Sequence, residues 1–93
     1  MTIGLCRLAL YLPESGSLKR KRQLLQSLIV RVRNKFNVSI SELGDNDLWQ
    51  RAEVGVAIVA NDSRHANQVL SKVVEIVQTD RQVQLIDYSL EMF

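Results

Sequence analysis

Seven cations, Lys19, Arg20, Lys21, Arg22, Arg31, Arg33 and Lys35, stand between Ser17 and Phe36 with no Asp or Glu among them. Side chains of this kind neutralise phosphates, so an anionic polymer is the partner their chemistry suits. A solvated helix surface would show the same residues, with long aliphatic stems covering the edge of a core. Trp49 beside Arg51 offers a second contact of the type single-strand binders use, an indole stacked on a base and a guanidinium on a phosphate. An indole at the start of a strand also packs beneath loops, and both roles stay open here. The formal net charge is only +2, so distribution matters more than total: seven of the twelve Lys and Arg lie in this one segment.

Catalytic ingredients are sparse. His65 is the one histidine, and it falls near Asp62 at the start of a helix, where the dipole disfavours an imidazolium. Glu42, Asp45, Asp47 and Glu53 gather around a turn and have the oxygen ligands of a divalent-cation site, although turn chemistry accounts equally for Asp45 and Asp47. A single cysteine, Cys6, forms no internal disulfide and no multi-cysteine metal site, and it suits a small buried apolar position. Gly4, Gly16, Gly44 and Gly55 are scattered, and neither a Gly-Lys-Ser/Thr phosphate loop nor a consensus aromatic RNA motif occurs. No residue is nominated as catalytic, cofactor-binding or metal-ligating, and the expectation is a non-enzymatic protein without a cofactor.

The elements that position these side chains follow from periodicity. Leu18, Leu25, Leu28, Ile29, Val32 and Phe36 fall on one stripe of a helix running from Leu18 to Phe36, with Ser17 as its N-cap. Around that stripe Lys19, Arg22 and Arg33 take one flank and Arg20, Arg31 and Lys35 the other, which makes a collar rather than a patch. Lys21 points partly towards the stripe, either snorkelling from the first turn or held by an acidic group. Before the helix, Thr2 to Leu12 reads as a strand apolar on both faces, ended by Pro13. After it, Val38–Leu43 and Trp49–Ala60 read as a hairpin about the turn formers Gly44, Asp45, Asn46 and Asp47. Asp62 caps a second helix with Ala66, Val69, Leu70, Val73 and Val77 inward, and a last strand begins at Val83 and reaches about Tyr88 or beyond.

The order strand, helix, strand, strand, helix, strand is the split βαβ plan, so the fold class is α+β: a ferredoxin-like βαββαβ sandwich, a four-stranded antiparallel sheet with two helices on one face. Right-handed crossovers place the first and third strands in the centre. An uncovered face with apolar residues then calls for a homodimer or a partner protein. Ninety-three residues suit a single domain, 1–93. A hydrophobic content of 46% without a run of about 20 apolar residues, and a start lacking a basic leader, predict a cytoplasmic chain with no membrane association.

The segments Leu18–Glu42 and Asp47–Ala66 carry a more specific signal. Leu18-Lys19 with Lys21-Arg22, Arg31 and Arg33 before Lys35-Phe36-Asn37-Val38-Ser39, and Trp49-Gln50-Arg51-Ala52-Glu53 leading to Gly55-Val56-Ala57 resemble the YlxP-like family of small bacterial proteins of unknown function. The resemblance implies a ferredoxin-like fold, a cytoplasmic setting and no established enzyme activity. Some similar proteins are encoded near translation or ribosome-maturation genes, which by association implies RNA or the ribosome as a partner. Two departures stand out: Arg20 occupies a place often acidic, and the turn Gly44-Asp45-Asn46 lacks the aromatic or histidine of similar sequences, which leaves a ligand contact there unsupported.

Taken together, the expected function is an RNA-binding or ribosome-associated module. Its contacts would be Lys19, Arg20, Lys21, Arg22, Arg31, Arg33, Lys35, Trp49 and Arg51. The alternative is a homo-oligomeric adaptor using the uncovered sheet face, and a small-molecule or metal-dependent enzyme at the acidic hairpin ranks third.

Overall fold

Alternation in Thr2–Tyr11 sends Cys6, Leu8 and Leu10 to one side of strand β1, where each is at most 1% exposed, and Leu12 continues the pattern. The computed structural model describes residues 1–44 and 48–93. It orders the chain as β1 (Thr2–Tyr11), α1 (Leu18–Lys35), β2 (Ser39–Leu43), β3 (Arg51–Ala60), α2 (Ser63–Thr79) and β4 (Gln84–Met92). The sheet runs β2-β3-β1-β4 with every neighbouring pair antiparallel, so β1 and β3 are central and the polar β2 lies at an edge. This is the ferredoxin-like arrangement expected from the element order. The expected turn residues Asp45, Asn46 and Asp47 lie outside the described residues.

Both helices cover one face. From the sheet, Cys6, Leu8, Leu10, Ala52, Val54, Val56 and Ile58 meet Leu24, Leu25, Leu28, Ile29 and Val32 of α1 and Ala66, Leu70, Val73, Val74 and Val77 of α2. Gly4 permits the closest approach: a Cβ there would lie 3.0 Å from both Ile58 Cγ2 and Leu70 Cδ1, so a larger residue would push α2 off β1. Helix starts follow their caps. Arg20 N donates to Ser17 Oγ at 3.1 Å, and His65 N to Asp62 Oδ1 at 2.8 Å.

Element bounds shift by one or two residues from expectation, and the α1 stripe is wider. β3 begins at Arg51, because the backbone of Trp49 and Gln50 bends, although Gln50 O still accepts from Leu12 N at 2.8 Å. β4 runs to Met92 past a bulge at Ile86, where the partners of Ala9 and Leu10 step from Asp87 to Leu85. In α1 the stripe is broader than a single sheet-facing row. Leu24 is buried, whereas Leu18 and Phe36 at the helix ends are only partly covered. Leu24 lies one heptad before Arg31, which reaches the end of α2, so it belongs to the flank that α1 turns towards the other helix.

Candidate nucleic-acid interface

The loop into α1 is tied down before the helix starts. Ser15 N donates to Leu12 O at 3.1 Å, Ser15 Oγ to Ser17 O at 3.1 Å, and the Gln50 side-chain amide to Pro13 O at 3.2 Å. Helix α1 therefore has a fixed starting point, and its first two turns present Lys19, Arg20 and Arg22 to solvent. No acidic residue stands in the first turn. Three cations thus sit at the end of the helix where the macrodipole is already positive, an arrangement that opposes stability and concentrates positive potential. Arg33 and Lys35 occupy the last turn, where the dipole favours them. From Arg20 to Arg33 is about 20 Å along the axis at 1.5 Å per residue, so the collar divides into two exposed groups.

Two of the seven cations are engaged in the fold. Lys21 is 1% exposed, and its Nζ lies 3.2 Å from Glu42 Oε2 on the helix-facing side of β2. That resolves its two sequence alternatives in favour of an acidic partner and removes Lys21 from any contact surface. Arg31 pairs with Asp80 at 2.6 Å. Asp80 also accepts from Gln82 N at 2.8 Å and Val83 N at 3.2 Å, so Arg31 is fastened to the turn that leads from α2 into β4. The local signal for this anchor was an Asp at the end of a helix, three residues before the next buried apolar residue, an Asx-turn pattern. Among the described residues, Lys19, Arg20, Arg22, Arg33 and Lys35 have no carboxylate within 4.0 Å.

Trp49 is 55% exposed and Leu48 46%, so the indole is not packed beneath a loop. Through Gln50, this segment adjoins Leu12 and Pro13, which places Trp49 and Arg51 at the end of the molecule where α1 begins. Arg51 is exposed and pairs with Tyr11 in register, on the face of the sheet away from the helices. Lys19, Arg20 and Arg22 lie in the helix layer. Trp49 precedes Arg51 by two residues at the end of the sheet from which the chain enters α1.

The other chemical candidates separate. Glu42 is opposite Val54, whereas Glu53 is opposite Leu43, so the two carboxylates project to opposite faces of the sheet. They do not form one cation site, and Glu53 instead meets Arg7 Nε at 3.0 Å. Asp45 and Asp47 of that acidic cluster lie outside the described residues. Among the described residues no group of three or more His, Cys, Asp or Glu is placed to hold a metal ion. His65 is exposed at the start of α2. Cys6 is fully buried, and burial pushes its thiol up from 9.0 to about 11, which opposes thiolate chemistry. Among the described residues no helix is long and apolar enough to cross a membrane.

Two comparisons of sequence agree on the family. A family model described as "Protein of unknown function (DUF503)" matches residues 3–90. The uncharacterized protein YlxP of Bacillus subtilis (strain 168) is 39% identical over 77 residues, covering 83% of this chain and 84% of that protein. Among solved structures, the REP-associated tyrosine transposase bound to a REP hairpin aligns with a TM-score of 0.47 at 11% identity; the alignment covers 98% of this chain and 55% of that one. A dimeric ferredoxin-like protein of unknown function from Thermobifida fusca YX aligns with a TM-score of 0.43 at 14% identity, over 98% of this chain and 90% of that one. Sequence similarity over most of its length, with the βαββαβ order, establishes that the chain belongs to the DUF503 family, which includes YlxP-like proteins of unknown function.

Proposed function

We propose that this chain is a non-enzymatic RNA-binding module, associated with translation or the ribosome, that neutralises phosphates with the exposed cations of α1. The observation that carries the proposal is the crowding of Lys19, Arg20 and Arg22 at the N-terminal turns of α1, against the helix dipole and without a nearby carboxylate among the described residues. Cations placed for stability alone would sit at the other end of the helix. Arg33 and Lys35 extend the contact about 20 Å along the axis. Trp49 and Arg51, at the same end as the first group, stack an unpaired base and hold its phosphate. Lys21 takes no part, being buried against Glu42, and Arg31, paired with Asp80 but half-exposed, contributes less than its unpaired neighbours. The translation-linked setting comes from the family resemblance.

Fluorescence anisotropy with a structured ribosomal RNA fragment, measured across salt concentration, tests this directly. Replacing Lys19, Arg20, Arg22 and Arg33 together by Gln keeps helix propensity. It is expected to reduce the slope of log affinity against log salt by about 3, given roughly 0.7–0.9 per phosphate contact. Trp49→Ala weakens binding with the salt slope unchanged, since stacking releases no counterions. A folded quadruple variant that binds as tightly as the natural chain, with the same slope, would overturn the assignment.

A further inference from the structure

We infer that the helix-free face of the sheet is a self-association surface, on which a second copy of this chain packs face to face. The register lays out that face in rows. Val59, Ile3 and Phe93 stand abreast on β3, β1 and the end of β4: Ile3 is opposite Val59, and it exchanges backbone hydrogen bonds of 3.0 and 2.8 Å with Phe93. Their exposures are 70%, 40% and 68%. Ala57 and Leu5 form the next row. A contiguous apolar band across three strands is what a protein interface presents, and only a covering surface removes it from water.

Further along, Arg7 is opposite Gly55 and its Nε lies 3.0 Å from Glu53 Oε1. Asp87, Glu53 and Glu91 outnumber Arg7 and Arg51 on this face, so a phosphate backbone laid along it is a poorer occupant than a protein surface. A second copy fits because the pattern complements itself. A two-fold axis parallel to the strands, between β1 and β3, lays Val59 over Ile3 of the second copy and Arg7 over Gly55 of the second copy. The space above Gly55 is taken by the Leu43 side chain, whose Cδ1 would lie 2.8 Å from a Cβ there, so the stem of Arg7 from the second copy meets apolar Leu43 rather than bare backbone. The two Arg7–Glu53 pairs then meet between the sheets, with Asp87 of each copy on the far side of Ala9 from Glu53. An axis through β1 would set Arg7 on Arg7, and an axis across the middle of the strands would set the apolar row on Arg51.

Area agrees with this assignment. Strands of ten residues are about 33 Å long and neighbours are about 4.8 Å apart, so the face covers roughly 500 Å² in projection. Two copies bury about 1,000 Å² or somewhat more, enough for a specific interface of modest size. Sheets stacked in this way lie about 10 Å apart and keep α1 on the outside of the dimer, so the α1 contacts of the RNA proposal and this inference are tested separately, whereas Arg51 lies on the paired face.

Size exclusion with light scattering, followed from about 10 to about 500 μM, reads the mass of the full-length chain directly. The natural chain is expected to have the mass of a dimer at the upper concentrations. Val59→Glu introduces two carboxylates per interface at a site already exposed in the monomer, and is expected to weaken dimerisation at least about tenfold. Arg7→Glu weakens it as well, and adding Glu53→Arg restores it, because the pair is re-formed with its charges exchanged and the total charge of the face unchanged. A natural chain that is monomeric at about 500 μM would overturn the inference, whatever the variants do. So would a Val59→Glu chain, folded by circular dichroism, that dimerises like the natural one. RNA affinity measured on the Val59→Glu chain in parallel keeps the two surfaces distinct.

Discussion

Lys21 occupies the position on α1 that its spacing to Leu25, Leu28 and Val32 gives it, a place in the buried stripe. Its side chain is 2% exposed and that of Glu42 26%, with 3.2 Å between Nζ and Oε2. That asymmetry in exposure gives an asymmetry in the effect of substitution. Glu42→Gln withdraws a carboxylate from a buried ammonium. Breaking a fully buried pair costs about 3–5 kcal/mol, and with Glu42 partly solvated we expect about 2 kcal/mol. Lys21→Met keeps the volume of the stem and removes the buried charge, while Glu42 can turn to water; the expected change is within about 1 kcal/mol. In the Lys21→Met background the effect of Glu42→Gln should nearly vanish, a coupling of about 2 kcal/mol. Urea unfolding resolves this: at an m-value of about 1 kcal/mol/M, the Glu42→Gln midpoint falls by about 2 M. If Glu42→Gln has the same effect in both backgrounds, the pair does not hold α1 to β2. If Lys21→Met destabilises more than Glu42→Gln, the ammonium itself is what the fold needs.

Two further outcomes follow from charges elsewhere. The Cys6 thiol is pushed from 9.0 to about 11 by burial, so the unfolded chain loses this proton first. Its contribution to stability is whole below about pH 9 and is lost as pH rises through about 11, and the unfolding free energy of the natural chain relative to Cys6→Ala should decline over that window; a constant difference would contradict the shift. At the start of α1, Lys19→Glu and Arg20→Glu replace cations that oppose the dipole with anions that complement it. Each should raise stability in thermal unfolding by about 0.3–1 kcal/mol while sharply weakening RNA binding, and a loss of stability would show that these cations serve the fold.

Strand and helix positions were legible wherever apolar periodicity was strong. β1, β3 and both helices sit where their alternation or their stripes place them, because burial on one face decides register and orientation together. Ser17 and Asp62 were legible as caps from residue type alone. What could not be read was which charged side chains find each other. Arg31 and Asp80 are 49 residues apart in sequence, and nothing local distinguishes Arg31 from Arg33 beyond the flank of the helix each occupies. The acidic hairpin looked like one cluster because its members are close in sequence. Pleating undoes that impression by sending Glu42 to the helix side and Glu53 to the open side. Phe93 gained meaning only when its backbone paired with Ile3 and completed an apolar row that no single segment contains.

The division of cations along α1 links these levels. A helix whose charges served solubility alone could place them anywhere on its exposed arc, and placement at the C-terminal turns would add stability. Here Arg33 and Lys35 do so, Arg31 fastens the helix to the α2–β4 turn, and Lys21 fastens it to β2. The remaining three, Lys19, Arg20 and Arg22, sit where the dipole repels them. By contrast α2, whose first turn carries Arg64, begins with the compensating carboxylate of Asp62. With total stability of about 5–15 kcal/mol for a small domain, roughly 0.6–2 kcal/mol of opposing electrostatics from Lys19 and Arg20 in the first turn is a sizeable fraction to retain without a use. Local rules fail most often where a function is kept, and the start of α1, where they fail in this chain, is for that reason the surface the RNA proposal rests on.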